Sequence, residues 1–281
     1  MLGTIIGDVI GSTYEVLEVE YLKKYHKNRP YEERIKILDK NTPLFTEDSS
    51  YTDDTVLTCA ILDAIKNNDF DYKKCLKEYG LKEINLGKDK YGRSRFGKGF
   101  IEWLNDEAPG LSYGNGAAMR VSPVGFLFND YHAVMMESLK STIPTHNNVE
   151  AITSSQVVAL SIYLLKSGKS KDKVIEFIKE NYYDLEFDLE DLQRNYKFSS
   201  RASESVPEAL YVFSVSNGFE DAIRKAISIG GDSDTIAAIV GGLAEACYGI
   251  PEELKEGVKP YLNDDILKLL SSYYGEKVWK K

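Results

Sequence analysis

Two stretches far apart in the chain set carboxylates beside threonine hydroxyls: Thr52-Asp53-Asp54-Thr55 and Asp232-Ser233-Asp234-Thr235. Each opens an apolar run with the three-and-four spacing of a buried helix face, so each stands at a helix start. Side-chain oxygens are common there, because they accept from free N–H groups and acids meet the positive end of the helix dipole. Capping accounts for either stretch alone. Their chemical likeness points further: Thr52, Asp53, Asp54, Asp232, Asp234 and Thr235 are hard oxygen donors with no imidazole or thiolate, a set that suits Mg²⁺ or Mn²⁺ and disfavours zinc. If folding joins the two helix starts, the acids repel unless cations lie between them. Six donors suffice for two ions sharing one carboxylate. Gly230-Gly231, just before Asp232, permits a sharp turn and close backbone approach.

Three more groups are chemically suggestive. Asp8 and Glu15 lie seven residues apart, nearly in line on one helix face, and the neighbouring Ile5, Ile6, Val9 and Ile10 predict burial. Buried acids need partners, so either could reach a metal or a reacting group, although a solvated acidic face is the plainer alternative. Ser112-Tyr113-Gly114-Asn115-Gly116 joins a glycine-rich turn to a helix start, offering N–H groups to an anion and a ring for stacking, or simply a turn. Arg120 could meet a phosphate or a structural acid. His146, in a loop before a helix, reads by itself as a surface or capping residue.

Other signals fail. Gly92 to Lys98 has the first seven places of a phosphate-binding loop, but Gly99 stands where Ser or Thr belongs and no apolar strand precedes it. Asp232-x-Asp234 is not a calcium loop, because Ile236 replaces the third ligand and Ala237 the turn glycine. The same pair as the aspartyl nucleophile of a haloacid-dehalogenase phosphatase lacks the preceding strand and survives only as a weak alternative.

The elements that must position these groups are helical. Apolar periodicity predicts helices over Gly3–Glu15, from Thr52 through Ile65, and over Tyr72–Glu83, Gly116–Leu127, Tyr131–Thr142, Glu150–Leu165, Lys171–Asn181, Val206–Val215, Phe219–Ile227, Asp234–Tyr248 and Pro260–Tyr274. Few segments alternate with period two, so the expected fold is all-α. Without a linker or an internal repeat, residues 1–281 are expected to form one domain. Lys23–Ser50, Asn85–Gly99 and Tyr183–Ser203 are expected to be surface loops. A net charge of −9 argues against a nucleic-acid binder, and 43% hydrophobic residues suffice for a full core. The longest apolar run, Ile236–Ala244, is too short for a membrane span, and Met1–Val9 lacks the basic start of a secretory signal. Cys59, Cys75 and Cys247, odd in number and without C-x-x-C spacing, read as reduced core thiols of a cytoplasmic protein.

Taken in order, Gly3–Glu15, Tyr51–Val56, Gly114–Gly125, Thr145-His146, Ser205–Leu210 and Gly230–Ala238 resemble the ADP-ribosylglycohydrolase family over nearly the whole chain. The resemblance implies a roughly orthogonal helix bundle with a two-magnesium site at helix N-termini. It implies hydrolysis of the bond between ADP-ribose and an acceptor, such as a protein arginine or serine side chain or a small conjugate. By matching positions, Thr52, Asp53, Asp54, Asp232, Asp234 and Thr235 would be metal ligands. Glu15 would engage metal or acceptor, and Ser112, Tyr113, Gly114, Asn115, Gly116 and His146 would contact ribose and diphosphate. Glycosidic cleavage passes through an oxocarbenium-like ribose, so Asp53 or Glu15 is the expected general base or proton shuttle. No nucleic-acid or membrane partner is expected, and the family likeness favours a monomer. Two departures concern the adenine end: Leu111 replaces a small residue, and Ser199–Ser203 follows no pattern. The complete ligand set disfavours a non-catalytic ADP-ribose-binding or structural relative.

Overall fold

The computed structural model describes residues 1–88, 92, 94–106 and 108–279. Two helices with long, mostly apolar buried stretches form its centre. They are α1 (Leu2–Tyr25), buried from Leu2 to Thr13, and α13 (Ser233–Tyr248), buried from Ser233 to Ala244. They cross without intervening side chains: a Cβ at Gly3 would meet Gly241 O at 2.2 Å, one at Gly7 would meet Ala237 O at 2.0 Å, and one at Gly11 would meet Asp234 Cα at 2.5 Å. The last contact lays α1 against the acidic start of α13.

Around this pair, among the described residues, stand α2 (Tyr31–Arg34), α3 (Asp53–Asn67), α4 (Tyr72–Leu86), α5 (Lys98–Leu104), α6 (Ser122–Leu127), α7 (Tyr131–Thr142) and α8 (Val149–Lys166). The chain continues through α9 (Lys171–Asn181), α10 (Leu189–Asn195), α11 (Val206–Ser214), α12 (Phe219–Ser228), α14 (Glu252–Val258) and α15 (Asp264–Tyr274). These fifteen helices, with short 3₁₀ turns between some of them, bury one contiguous apolar cluster running from Met1 to Leu270. No strand occurs among the described residues. Isolated bridges join Leu111 to His146 and Gly114 to Arg201. The three cysteines are free thiols, and no described helix is long and apolar enough to cross a membrane.

The all-α expectation holds, but several boundaries differ. α1 runs ten residues past Glu15, sustained by helix formers such as Glu18, Lys23 and Lys24, and ends where His26 turns left-handed at φ 56°. The expected helix Gly116–Leu127 is interrupted. A 3₁₀ turn at Asn115–Ala117 precedes α6, whose first turn carries Pro123, a residue with no N–H to continue a helix through that point. α15 likewise begins at Asp264, capped by Asn263, rather than at Pro260. The stretches expected to be surface loops hold α2, a 3₁₀ turn at Ile35–Leu38, and α10. Of Asn85–Gly99, residues 89–91 and 93 lie outside the described residues, so the basic Gly92–Lys98 stretch is described only in part.

Candidate active site

The site is assembled from the starts of α3 and α13, the interior of α1 and two loops. Asp8, fully buried on α1, faces the start of α3 and takes hydrogen bonds from Thr52 N at 3.0 Å, Thr52 Oγ1 at 2.7 Å, Thr55 N at 3.1 Å and the Thr55 hydroxyl. Thr52 caps α3 by accepting from Asp54 N. Asp8 thus anchors the whole Thr52–Thr55 turn. The Asp54 carboxylate points inward, where Oδ2 accepts from Thr235 Oγ1 at 3.3 Å and Oδ1, although buried, has no hydrogen-bond partner among the described residues.

At the start of α13, Gly230 and Gly231 adopt φ 74° and 72°, the left-handed region where a side chain is strained. Space is also lacking: a Cβ at Gly231 would lie 2.4 Å from the Tyr196 ring, and one at Gly230 would lie 2.6 Å from the Arg34 guanidinium. Arg34 is buried in a fork–fork pair with Glu18 at 2.9 and 3.0 Å and donates to the carbonyls of Gln193 and Tyr196. This arginine joins α1, α2 and α10 behind the turn that delivers Asp232. Asp232 occupies the N-cap position of α13 yet makes no capping hydrogen bond; its Oδ2 accepts instead from Asn115 Nδ2 at 2.7 Å. Capping therefore does not account for this carboxylate.

Two groups of acids result. Asp8, Asp54 and Asp234 bring one carboxylate oxygen each within 4.8 Å of one another, and so do Glu15, Asp232 and Asp234. Asp234 belongs to both. Asp53, expected among the ligands, is in neither group; it lies at the boundary of the two cavities described next. Asp8 and Glu15 enter the groups instead. Burial, reinforced by the charge of Asp234, pushes the Asp8 carboxyl up to about 7, and raises Asp53, Asp54 and Asp232 well above the usual carboxylate range. Such mutual repulsion, an orphaned Asp54 oxygen and an all-oxygen donor set fit hard divalent cations.

The acids open into a cleft of two adjoining cavities, of about 360 and 490 Å³. Both are lined by Asp53, Gly97, Asn115, Gly116, Met119 and Ser200, so the halves are continuous. The first half holds the acids. The second is walled by Phe100, Trp103, Leu111, Ser112, Gly114, Arg120 and His146. Tyr113, between the wall residues Ser112 and Gly114, is exposed, with the Arg201 guanidinium 5.5 Å from its ring centroid.

The Ser112–Gly116 loop is braced rather than open. Gly114 N donates to Ser112 Oγ, Asn115 N to Ser200 O at 2.8 Å, and Ala202 N to Tyr113 O. Two N–H groups expected to be free for an anion are therefore engaged. The patternless Ser199–Ser203 segment supplies these struts and is itself tied down by the Arg201–Glu150 pair. His146, plain by its sequence context, is buried in the cavity wall. Among the described residues Arg120 makes no ion pair; its Nη2 donates to Ser141 O and Thr145 Oγ1, and its Nε and Nη1 have no hydrogen-bond partner. Sequence reasoning missed the wall formed by Arg95, Phe96, Met119 and Ser200, because nothing in local spacing tells which loop will fold over a distant helix start. The phosphatase alternative fails here: the segment leading to Asp232 is helix α12, not a strand.

Known proteins match this architecture. The family model described as ADP-ribosylglycohydrolase matches residues 1–280. The chain is 26% identical to human "ADP-ribosylhydrolase ARH3", covering 95% of this chain and 90% of that protein. It is 25% identical to "ADP-ribosylarginine hydrolase Tri1" of Pseudomonas putida (strain GB-1), covering 89% of this chain and 70% of that protein. A solved "ADP-ribosylglycohydrolase-related protein complex" superposes with a TM-score of 0.66 at 21% identity over 98% of this chain and 95% of that one, a likeness of fold. The chain belongs to the ADP-ribosylglycohydrolase family and is a hydrolase acting on glycosidic bonds.

Proposed function

We propose that this protein, as a single domain, releases ADP-ribose from a protein side chain or a small conjugate, with two Mg²⁺ ions held at the paired helix starts. The observation that carries the reading is Asp234, shared by two groups of oxygen ligands at the floor of one continuous cleft. Asp54, Asp232, Asp234, Thr52 and Thr235 would hold the ions, with Asp8 and Glu15 completing the groups and Asp53 joining from the cavity boundary. Bound Mg²⁺ supplies Lewis acidity toward ribose oxygens and lowers the pKa of water.

The chain's own residues do the rest. Asn115 fixes the Asp232 carboxylate, and its loop orients the ribose and diphosphate in the second half of the cleft. Tyr113 offers a stacking face, and Phe100 and Trp103 exclude water from the far wall. Glu15, half-buried in the lining of the first half, or Asp53, between the halves, takes the proton from the attacking water at a carboxylate oxygen. ADP-ribosylated arginine and serine peptides, incubated with Mg²⁺ and separately with EDTA, test this. Free ADP-ribose is expected only with the metal, and Asp53→Asn should abolish it. Product that persists in EDTA would remove the metal-assisted mechanism, and binding without product would leave a receptor rather than an enzyme.

A further inference from the structure

His146 is held by a directional chain of hydrogen bonds. Arg120, buried to 1% exposure, has only hydrogens to give; its Nη2 donates to Thr145 Oγ1 at 2.7 Å. With that lone pair taken, the single Thr145 hydroxyl hydrogen has two acceptors to choose between. His146 Nδ1 lies at 2.6 Å and Thr142 O at 3.5 Å. The second Oγ1 lone pair could take an Nδ1–H instead, but a guanidinium on that oxygen polarises its O–H toward donation and disfavours an N–H dipole aimed at the same cation. The hydrogen therefore goes to Nδ1, at full hydrogen-bond distance, rather than to the marginal Thr142 O. An imidazole that accepts at Nδ1 carries its proton on Nε2. That edge faces the glycine loop, where a Cβ added at Gly116 would come within 3.2 Å of Nε2, and the ring lines the second cavity.

We propose that Arg120 and Thr145 are positioning residues that hold His146 as its Nε2–H tautomer, so that the ring presents a fixed hydrogen-bond donor to an acceptor oxygen of the nucleotide in the cleft. The identity of the ligand rests on the ADP-ribose reading above; the tautomer does not. His146 fixed in this way neither binds a cation through Nε2 nor accepts a proton there. It recognises an oxygen with a free lone pair, such as a phosphate or hydroxyl oxygen. Burial and the nearby Arg120 charge also disfavour the imidazolium, which keeps the donor neutral.

The chain has three histidines, His26, His132 and His146, so the ring nitrogens are accessible to ¹⁵N NMR of histidine-labelled protein, with His146→Asn giving the assignment. A protonated Nε2 and a bare Nδ1 are expected for His146. Thr145→Val keeps the shape and removes the hydroxyl; it should mix the tautomers and weaken ADP-ribose binding about five-fold, as the loss of one oriented hydrogen bond implies. Thr145→Ser should restore both, and thermal melts of each variant report folding. A wild-type Nδ1–H signature, or an unchanged Nε2–H signature in Thr145→Val, overturns the relay. A shifted tautomer with unchanged affinity overturns the donor role. Failure of the wild type to bind ADP-ribose despite the expected tautomer overturns the ligand assignment and the proposed function, while the relay stands.

Discussion

Replacing Gly11 with alanine should disable the site while leaving the fold. The new Cβ would sit 2.5 Å from both Asp234 Cα and Ser233 O, where ordinary contact begins near 3.4 Å. Both neighbours belong to backbone that cannot rotate aside, so α1 and the start of α13 must part by about 0.9 Å. Oxygen ligands hold a divalent cation within roughly 0.2 Å of ideal distance, so the displacement is several times what the metal groups tolerate. Overpacking of this kind costs about 1–3 kcal/mol, which for a chain of this size lowers Tm by roughly 2–5 °C. The assay is a pair of thermal melts, with and without Mg²⁺, beside ADP-ribose release from modified peptides. Gly11→Ala should melt as one cooperative unit, lose the Mg²⁺-dependent rise in Tm, and release no product. Gly218→Ala, where a Cβ meets nothing within 4 Å, serves as the control and should match wild type. A Gly11→Ala protein with full Mg²⁺ stabilisation and activity would refute the claim that this helix crossing sets the ligand geometry.

Other perturbations separate the parts. Because Asp234 belongs to both acid groups, Asp234→Asn should bind no Mg²⁺ by calorimetry, whereas Asp232→Asn should retain about one ion from the Asp8–Asp54 side; equal losses would deny the sharing. Asp8→Asn leaves Thr52 and Thr55 donors facing an amide, so urea denaturation in EDTA should show a loss of about 1–3 kcal/mol, and an unchanged midpoint would deny the anchoring role. His146 is held down to about 3 by burial and Arg120, against an unfolded value near 6.5. The unfolded state therefore binds the extra proton first: the contribution is intact above about pH 6.5 and falls by roughly 1.4 kcal/mol per pH unit as pH drops toward 3. His146→Asn should flatten the acid limb of the stability curve by that slope, and a superimposable limb would contradict the burial argument.

Much of this was legible in the sequence because it is local. Helix periodicity, Thr52 as a cap and the glycine pair before Asp232 depend on neighbours a few residues away. Asp8 was legible as a buried acid, since the isoleucines around it force that face inward. Its place beside Thr52 was not, because a contact across 44 residues depends on how α3 packs against α1, which no local spacing reveals. The stretch from Lys23 to Ser50 misled for a physical reason as well. Its polar composition predicts solvent, yet Arg34 is buried because Glu18 and two carbonyls satisfy its guanidinium, compensation that only the tertiary structure supplies. The break before α6 could have been read from Pro123, which forbids the continuous helix that apolar spacing alone implied.

The electrostatic balance of the cleft explains why these acids occur together. Helix N-termini each contribute about half a positive charge, which offsets one carboxylate of the five in the two groups. Two of the three arginines at hand are already committed to acids outside the groups. Arg95 pairs with Glu83 at 3.0 Å and Arg34 with Glu18 at 2.9 Å. Arg120 gives Nη2 hydrogens to Thr145 and a carbonyl, while its Nε and Nη1 have no partner among the described residues and its charge favours ionised Asp53. The protein thus uses two of these cations to hold the wall and the turn, and Arg120 offsets part of the charge on Asp53 while the two acid groups stay negative. Buried carboxylates left in this state either take up protons or admit cations. A chain selected for stability alone would replace Asp54, whose inner oxygen has no partner, with a residue that packs. Retaining it makes the negative floor a place where divalent ions, and the oxygens they gather, are favoured over water.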